Sequence, residues 1–598
     1  MSHRPYVYNT SSLMTTPAPK PAPPSLPAIG APSQVPRNRS KWLALGLSAL
    51  AALLIISPCF WWGNPSGHDF EFHAASWLDA AAQWHQGVWY PRWQEWANHG
   101  FGEPRFIFYP PLSWMLGGAL GSFLPWNAVP AVFIVLAQTL AGAGAFALVR
   151  HFTSSRAAVF AALCYAANPY ALLVIYMRSD FAEQLASAIL PFAVLFALRL
   201  AEARALSRRD RLRTAARFAV PFAALWLSNA PAGVLASYSF ALLFAWLAFE
   251  QRSSAPLLWG GLGTALGLGL AGFYILPAAY EQHWVNIGQV LSSGLLPSEN
   301  FLYTTLADPE HNLFNWIAST VSILLILVAL AAAFFVCRSR ARVRQPAGVP
   351  PDSARFARNT ENAMLLLAAA SIFLMLRLSS FLWPFLPKLR FVQFPWRWAL
   401  ILAIPYAFLL GLAFEKSRRR IVWVLALVAV SGASAGYLIT HTWWDTDDMP
   451  SLADALTEQQ GFEGTDEYDP VGDDHYDLPA QAPQAAELAE DAEDAPRAAI
   501  TVLQWTAERK ELRVVSPEPS RIALRLLNYP AWQVLVNGSQ ISPLRQGQTA
   551  QLIVPVPRGT SEISVRFQRT PDRTIGGAIA VASLAMAGFC LAGGIRRT

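Results

Sequence analysis

The stretch Trp42-Leu43-Ala44-Leu45-Gly46-Leu47-Ser48-Ala49-Leu50-Ala51-Ala52-Leu53-Leu54-Ile55-Ile56-Ser57-Pro58-Cys59-Phe60 carries no charged side chain and ends against Trp61-Trp62. A helix of about 20 apolar residues crosses about 30 Å of hydrocarbon. It satisfies its own backbone groups, which lipid cannot do. The tryptophans at its end suit the membrane–water boundary. No small-residue cleavage site follows, so the run reads as a signal anchor rather than a removed signal peptide.

Similar runs recur along the 598-residue chain at 127–149, 157–177, 184–199, 216–228, 231–249, 256–278, 315–337, 361–383, 396–414, 420–440 and 574–594. Hydrophobic residues make up 54% and charged residues 14%, against about 25% charged in soluble domains. The expected fold is mainly α, a polytopic membrane protein of about 12 transmembrane helices with a small C-terminal extracytoplasmic β-sandwich.

Charge sets the expected orientation. The +6 balance does not imply nucleic acid, because the arginines lie between apolar runs, where they act as topology signals. If the short run 111–124 does not cross, 27 of the 45 Lys and Arg fall on the cytoplasmic side. If it crosses, the Arg-rich loop 199–217 moves outside. The run is therefore expected to be a juxtamembrane or re-entrant helix on the outer face. The weakest crossing is 216–228, separated from the next run only by Asn229-Ala230. Cys59, Cys164, Cys337 and Cys590 fall in or beside apolar runs with no metal or disulfide spacing.

This gives a disordered cytoplasmic tail at 1–40 and a transmembrane region at 41–440 with a long outer loop at 63–126. An acidic linker follows at 441–497, then an extracytoplasmic β-domain at 498–573 and a final helix with a short cytoplasmic tail at 574–598. The linker holds 17 Asp and Glu between Asp445 and Asp494 with no Lys or Arg, which argues for a solvated tether. In the β-domain, Trp532-Gln533-Val534-Leu535-Val536-Asn537-Gly538 carries the Asn-Gly signature of a tight hairpin.

Three polar clusters stand out at the expected outer boundary. The first is Gly67-His68-Asp69-Phe70-Glu71-Phe72-His73. Transfer to a hydroxyl acceptor needs a carboxylate that takes its proton, and a boundary carboxylate is also a ligand for a divalent cation. Asp69 and His73, one helical turn apart, are positioned to pair. The second is Arg178-Ser179-Asp180-Phe181-Ala182-Glu183, where ionisable groups sit close to hydrocarbon and demand partners or a use. The third is Lys388-Leu389-Arg390-Phe391-Val392-Gln393-Phe394-Pro395-Trp396-Arg397, whose cations run against the positive-inside trend and suggest an anionic partner such as a lipid phosphate. For each cluster the plain alternative is interfacial polarity: a solvated loop, a salt-bridged turn, snorkelling cations.

These residues resemble a family. The order of a first helix, an acidic loop at Gly67–Glu71 and the Tyr109-Pro110-Pro111-Leu112 segment looks like the GT-C superfamily of membrane glycosyltransferases. More narrowly, Gly67–His73, Phe101–Leu112, Asn168-Pro169-Tyr170, Tyr176–Glu183 and Gln393–Arg397 resemble bacterial membrane proteins labelled 6-pyruvoyl-tetrahydropterin synthase-related. Asn528-Tyr529-Pro530-Ala531-Trp532 with Val536-Asn537-Gly538 is similar to the outer β-domain of related membrane proteins. The soluble pterin synthase is a zinc enzyme, and this chain has no three-histidine pattern to suit it.

The GT-C resemblance implies transfer of a sugar from a polyprenyl-phosphate donor to a glycan, lipid or protein acceptor on the extracytoplasmic face of the bacterial inner membrane. It implies Asp69 as general base or metal ligand, with Glu71 as the second choice. By position, Asp180 and Glu183 are secondary acidic candidates, and Arg178 and Arg397 are candidates to hold the phosphate. A divalent cation is one candidate cofactor. Membrane lipids are expected partners and nucleic acid is not. The competing classes are a transporter or flippase of lipid-linked substrates and a non-catalytic envelope-biogenesis protein.

Overall fold

The computed structural model describes residues 37–202, 207–340, 351–471, 478–488, 497–547 and 549–592. The expected N-terminal tail lies almost wholly outside the described residues, as do parts of the acidic segment.

Among the described residues, nine helices are long and apolar enough to cross a membrane. Two further pairs, Ala255–Leu270 with Gly272–Trp284 and Ala354–Met375 with Arg377–Phe385, bend by 73° and 94° and raise the number to 11 if each is one span. The chain is a multi-pass membrane protein. The twelfth expected segment lies in the helix Arg208–Ser228, whose early turns hold Arg208, Arg209, Asp210, Arg211, Arg213 and Arg217 and dilute its hydropathy. It is a separate helix from Ala230–Gln251, because Asn229 leaves helical geometry and its side chain accepts the Ala232 N–H at 2.9 Å. The run around 111–124 forms an 11-residue helix, Pro111–Gly121, about 16 Å long and too short to cross.

The connections sort into two ends. At one end Ser66 bonds Trp443, Tyr274 donates to the Phe108 carbonyl, Lys388 meets Gln282, and Gln393 donates to Val290. At the other, His151 meets Glu202, Gln251 donates to Ala201, and Lys416 and Arg340 share Glu361. Successive long helices thus end alternately at the two ends of the bundle. The helix Trp398–Lys416 runs through the centre and is apolar on every side, with 89% of its span buried. Arg420–Ile439 and Pro571–Ala592 are only 11% buried and form the lipid-facing margin.

The β-domain has two antiparallel sheets around one core. One holds Ala485–Glu487, Ser520–Leu527, Gln551–Val556 and Leu544–Arg545 in that order; the other holds Ala499–Thr506, Arg509–Ser516, Gly559–Phe567, Trp532–Val536 and Ser539–Ile541. Leu512, Val514, Ile522, Leu524, Val554 and Val565 meet between them. The expected hairpin is present: Val536 pairs with Ser539 across Asn537 (φ 51°) and Gly538 (φ 79°), the left-handed pair such a turn needs.

The acidic segment is not a free tether in its described part. Trp444–Asp445 pairs with Asn64–Pro65, and Asp448–Thr457 is a helix. The Phe462 N–H bonds the Trp96 carbonyl, Thr465 meets Glu103 and Arg105, and Asn98 donates to buried Asp469. Composition alone read this stretch as solvated. Three of its apolar residues, Met449, Phe462 and Tyr468, are buried and help hold it in place.

The β-domain is also fixed to the helices. Trp93 of the first loop packs against Tyr529, Trp532 and Phe567. Glu281 takes a two-point ion pair from Arg573 at 2.6 and 2.7 Å and a hydrogen bond from Tyr529 at 2.6 Å. That single buried carboxylate joins a bent span, the β-domain and the last helix.

Candidate functional site

Two short backbone segments lie against each other and build the site. The Gly67 N–H donates to Ser179 Oγ at 3.0 Å, the His68 N–H to the Met177 carbonyl at 3.3 Å, and the Asp69 N–H to the Arg178 carbonyl at 2.8 Å. Gly67 permits this approach: a Cβ there would lie 2.6 Å from the Met177 carbonyl oxygen. Asp69 stands at the N-cap of Phe70–His85 without capping it, which frees both carboxylate oxygens.

On the other segment, Asn168 caps Pro169–Leu173, and the chain then widens into one π turn at Val174–Arg178. Ser179 follows in the left-handed region at φ 52°. Asp180 accepts the Glu183 N–H at 2.8 Å and starts the next helix. The wide turn and the reversal aim Arg178, Asp180 and Glu183 at one point; single π turns are frequent at functional sites.

Arg178 is the hub. It donates to Asp69 Oδ2 at 2.6 Å and Glu183 Oε2 at 2.7 Å, and lies 3.0 Å from Asp180 Oδ2. Arg397 approaches the same pair of acids, at 3.3 Å from Glu183 and 3.6 Å from Asp180. Tyr170 donates its hydroxyl to Glu183 Oε1. Both guanidinium groups lie near the Phe394 ring, at 5.8 and 5.1 Å, and Arg178 also lies 5.5 Å from Trp396. Three carboxylates therefore face two guanidinium groups.

Exposure separates the members. The side chains of Arg178, Asp180, Glu183 and Arg397 are 2–6% exposed, whereas Asp69 is 24% exposed. Burial pushes the Asp69 carboxyl up, but Arg178 and the hydrogen bond from His68 outweigh it and hold it well below the usual carboxylate range. Burial likewise raises Asp180, and Arg178 and His73 bring it below the usual value. His68, exposed and 3.0 Å from Asp69, is raised first by that hydrogen bond.

The structure brings Asp69, Arg178, Asp180, Glu183 and Arg397 together and leaves Glu71 outside. Glu71 is exposed and faces Asp445, Asp448 and Glu463; partial burial and those like charges raise its carboxyl. The expected Asp69–His73 pairing is replaced. His73 is buried with Nε2 3.6 Å from Asp180, because the helix starting at Phe70 turns it inward while Asp69 faces Arg178. Tyr170 entered the sequence reading only through the Asn168-Pro169-Tyr170 resemblance, with no role attached; its partner lies on the next helix, so spacing held no signal for it. Among the described residues no group of three or more His, Cys, Asp or Glu is arranged to hold a metal ion. In the cluster itself the carboxylates already face guanidinium groups, a setting that does not suit a cation.

The family model described as a 6-pyruvoyl-tetrahydropterin synthase related domain, membrane protein, matches residues 106–445. The chain belongs to that family. In this synthase-related membrane protein the matched span takes in Arg178, Asp180, Glu183 and Arg397, while Asp69 precedes it. No curated protein matches the chain.

Solved structures show a distant likeness to the synthase-related chain. The Archaeoglobus fulgidus oligosaccharyltransferase in its apo form is 14% identical, with a TM-score of 0.44, over 69% of this chain and 57% of that one. The arabinofuranosyltransferase AftD from Mycobacteria is 17% identical, with a TM-score of 0.41, over 67% and 27%. The archaeal oligosaccharyltransferase AglB from Archaeoglobus fulgidus, in complex with an inhibitory peptide and a dolichol-phosphate, is 13% identical, with a TM-score of 0.40, over 71% and 56%. The chain spans little more than half the length of the first of these.

Proposed function

We propose that this protein is an integral-membrane glycosyltransferase that moves a sugar from a polyprenyl-phosphate donor to an acceptor on the extracytoplasmic face of the bacterial inner membrane. The observation that carries the reading is Asp69: the partly exposed carboxylate of an otherwise buried five-residue ionic cluster at the end of the membrane helices.

The cluster sets a donor phosphate and Asp69 in competition for the same guanidinium groups. A carboxyl held far below its usual range is ionised but weakly basic. Arg178 is what holds it there. A donor phosphate that draws on Arg178 and Arg397 competes with Asp69 for the same guanidinium, and the basicity of Asp69 rises as that partner is shared. Asp69 then takes the proton of the acceptor hydroxyl. The acceptor oxygen bonds the sugar's anomeric carbon, the bond from that carbon to the phosphate oxygen breaks, and its electron pair leaves on the phosphate beside the arginines. Asp180 and Glu183 hold the two arginines in place. Glu71 has no part in the step.

Full-length protein in lipid nanodiscs, given synthetic short-chain polyprenyl-phosphate monosaccharides and a membrane extract as the source of acceptor, tests this. The wild type consumes donor. Asp69→Asn retains donor but turns it over about 10²–10⁴-fold more slowly, the usual worth of a positioned base. Wild-type turnover by Asp69→Asn overturns the assignment of Asp69. Lipid movement across the bilayer of proteoliposomes without a glycosylated product indicates a transporter, and donor left untouched by the wild type a non-catalytic protein. Epitope tags at Leu206 and Gln345 that label from the periplasm refute the orientation.

A further inference from the structure

The helices Arg37–Ile55 and Phe181–Glu202 both pack on Val129–Arg150. Between them, at the end away from the β-domain, they leave a trough of about 920 Å³. Ala143 and Ala147 on the middle helix give it room. Trp42 lines one side and Phe192, Leu195 and Phe196 the other, so the trough is apolar below its mouth, where Ser40 and His151 also border it.

Its mouth is cationic. Lys41, Arg150 and Arg199 all border it. Arg150 spends one N–H on the Thr153 carbonyl at 2.8 Å, and Arg199 lies over the Phe196 ring at 5.7 Å. Among the described residues, none of these three cations has a carboxylate within ion-pair distance. The acid next to them, Glu202, is held by His151 at 3.1 Å. Snorkelling accounts for one cation reaching water from an apolar surface. It does not account for three from three helices meeting at the head of one apolar groove. Basic pockets between transmembrane helices bind anionic lipid headgroups.

We propose that this trough is a site for one anionic phospholipid. Lys41, Arg150 and Arg199 hold the headgroup phosphate, and the acyl chains lie against Phe192 and Phe196. The site is separate from the Asp69 cluster, at the opposite end of the bundle. It ties the first helix, which leads into the segment carrying Asp69, to the rest of the membrane region.

The test is native mass spectrometry of delipidated full-length protein titrated with phosphatidylglycerol or phosphatidylcholine of the same chain length. Phosphatidylglycerol is retained at least about tenfold better. The double variant K41Q/R199Q lowers its retention roughly 25-fold, about fivefold for each cation. Ala147→Phe keeps every charge, fills the trough and also releases the lipid. Lys41 is exposed at a helix start, so K41Q alone, at about fivefold, decides the matter if the double variant does not fold. Equal retention of the two lipids, or phosphatidylglycerol binding unmoved by K41Q or by Ala147→Phe, overturns the proposal.

Discussion

Charge accounting in the Asp69 cluster makes a prediction that needs no knowledge of the substrate. Three carboxylates face two guanidinium groups, a formal charge of −1 in a buried site. Arg178→Gln removes the hub and leaves three acids with Arg397 alone, a charge of −2 with contacts of 3.3 and 3.6 Å. Removing one partner of a buried ion pair costs about 3–5 kcal/mol. Asp69→Asn has the opposite sign of effect on the balance: two acids remain with two arginines. Asp69 is also the most exposed of the five, and its amide oxygen still accepts from Arg178, so its loss is expected to cost about 1 kcal/mol or less. The assay is thermal unfolding of both full-length variants in nanodiscs, followed by tryptophan emission and by monodispersity after heating. Arg178→Gln should unfold several degrees below the wild type and Asp69→Asn within about one degree of it. If Asp69→Asn falls as far as Arg178→Gln, the cluster is not the overcharged scaffold described here. If Arg178→Gln unfolds with the wild type, Arg178 is not its hub.

Other outcomes follow from the same geometry. Glu71→Gln should keep donor turnover within about twofold of wild type, since the residue points away from Arg178; a loss comparable to Asp69→Asn would relocate the site. Because the folded-state pKa of Asp69 is depressed, its stabilising contribution is present above the unfolded value of about 3.9 and is lost only as pH falls through the still lower folded value. In a His68→Ala background, which removes the titrating partner of Asp69, the unfolding midpoint difference made by Asp69→Asn should thus be constant from about pH 5 to pH 8. His68 is raised, so its contribution is full below about pH 6.5 and disappears as pH rises through the higher folded value; His68→Ala should remove that slope. Arg573→Met strands buried Glu281, at a cost of about 3–5 kcal/mol. Limited proteolysis should then cut near residue 570 before global unfolding, and equal resistance would show that the tether is redundant.

What the sequence determined by itself was whatever depends on solvent and on local period. Apolar runs of membrane length, the charge asymmetry of their connections and the Asn537-Gly538 turn each act over a few neighbouring residues. The multi-pass architecture, the β-sheets and the shortness of the helix at Pro111–Gly121 could therefore be read directly. In segment 441–497 composition counts the acids and not the apolar anchors Met449, Phe462 and Tyr468, which are buried in its described part. In the candidate site, the nomination of Asp69 and of the Arg178–Glu183 segment came from residue type and position. Their meeting did not. Asp69 and Arg178 are 109 positions apart, and Glu183 and Arg397 are farther still. Only the π turn, the reversal at Ser179 and the glycine contact at Gly67 bring them within hydrogen-bond reach. The same packing turns Glu71 away and gives His73 to Asp180. Which carboxylate stays partly open, and so which one can meet a substrate, is a property of burial, and burial exists only once distant segments have packed.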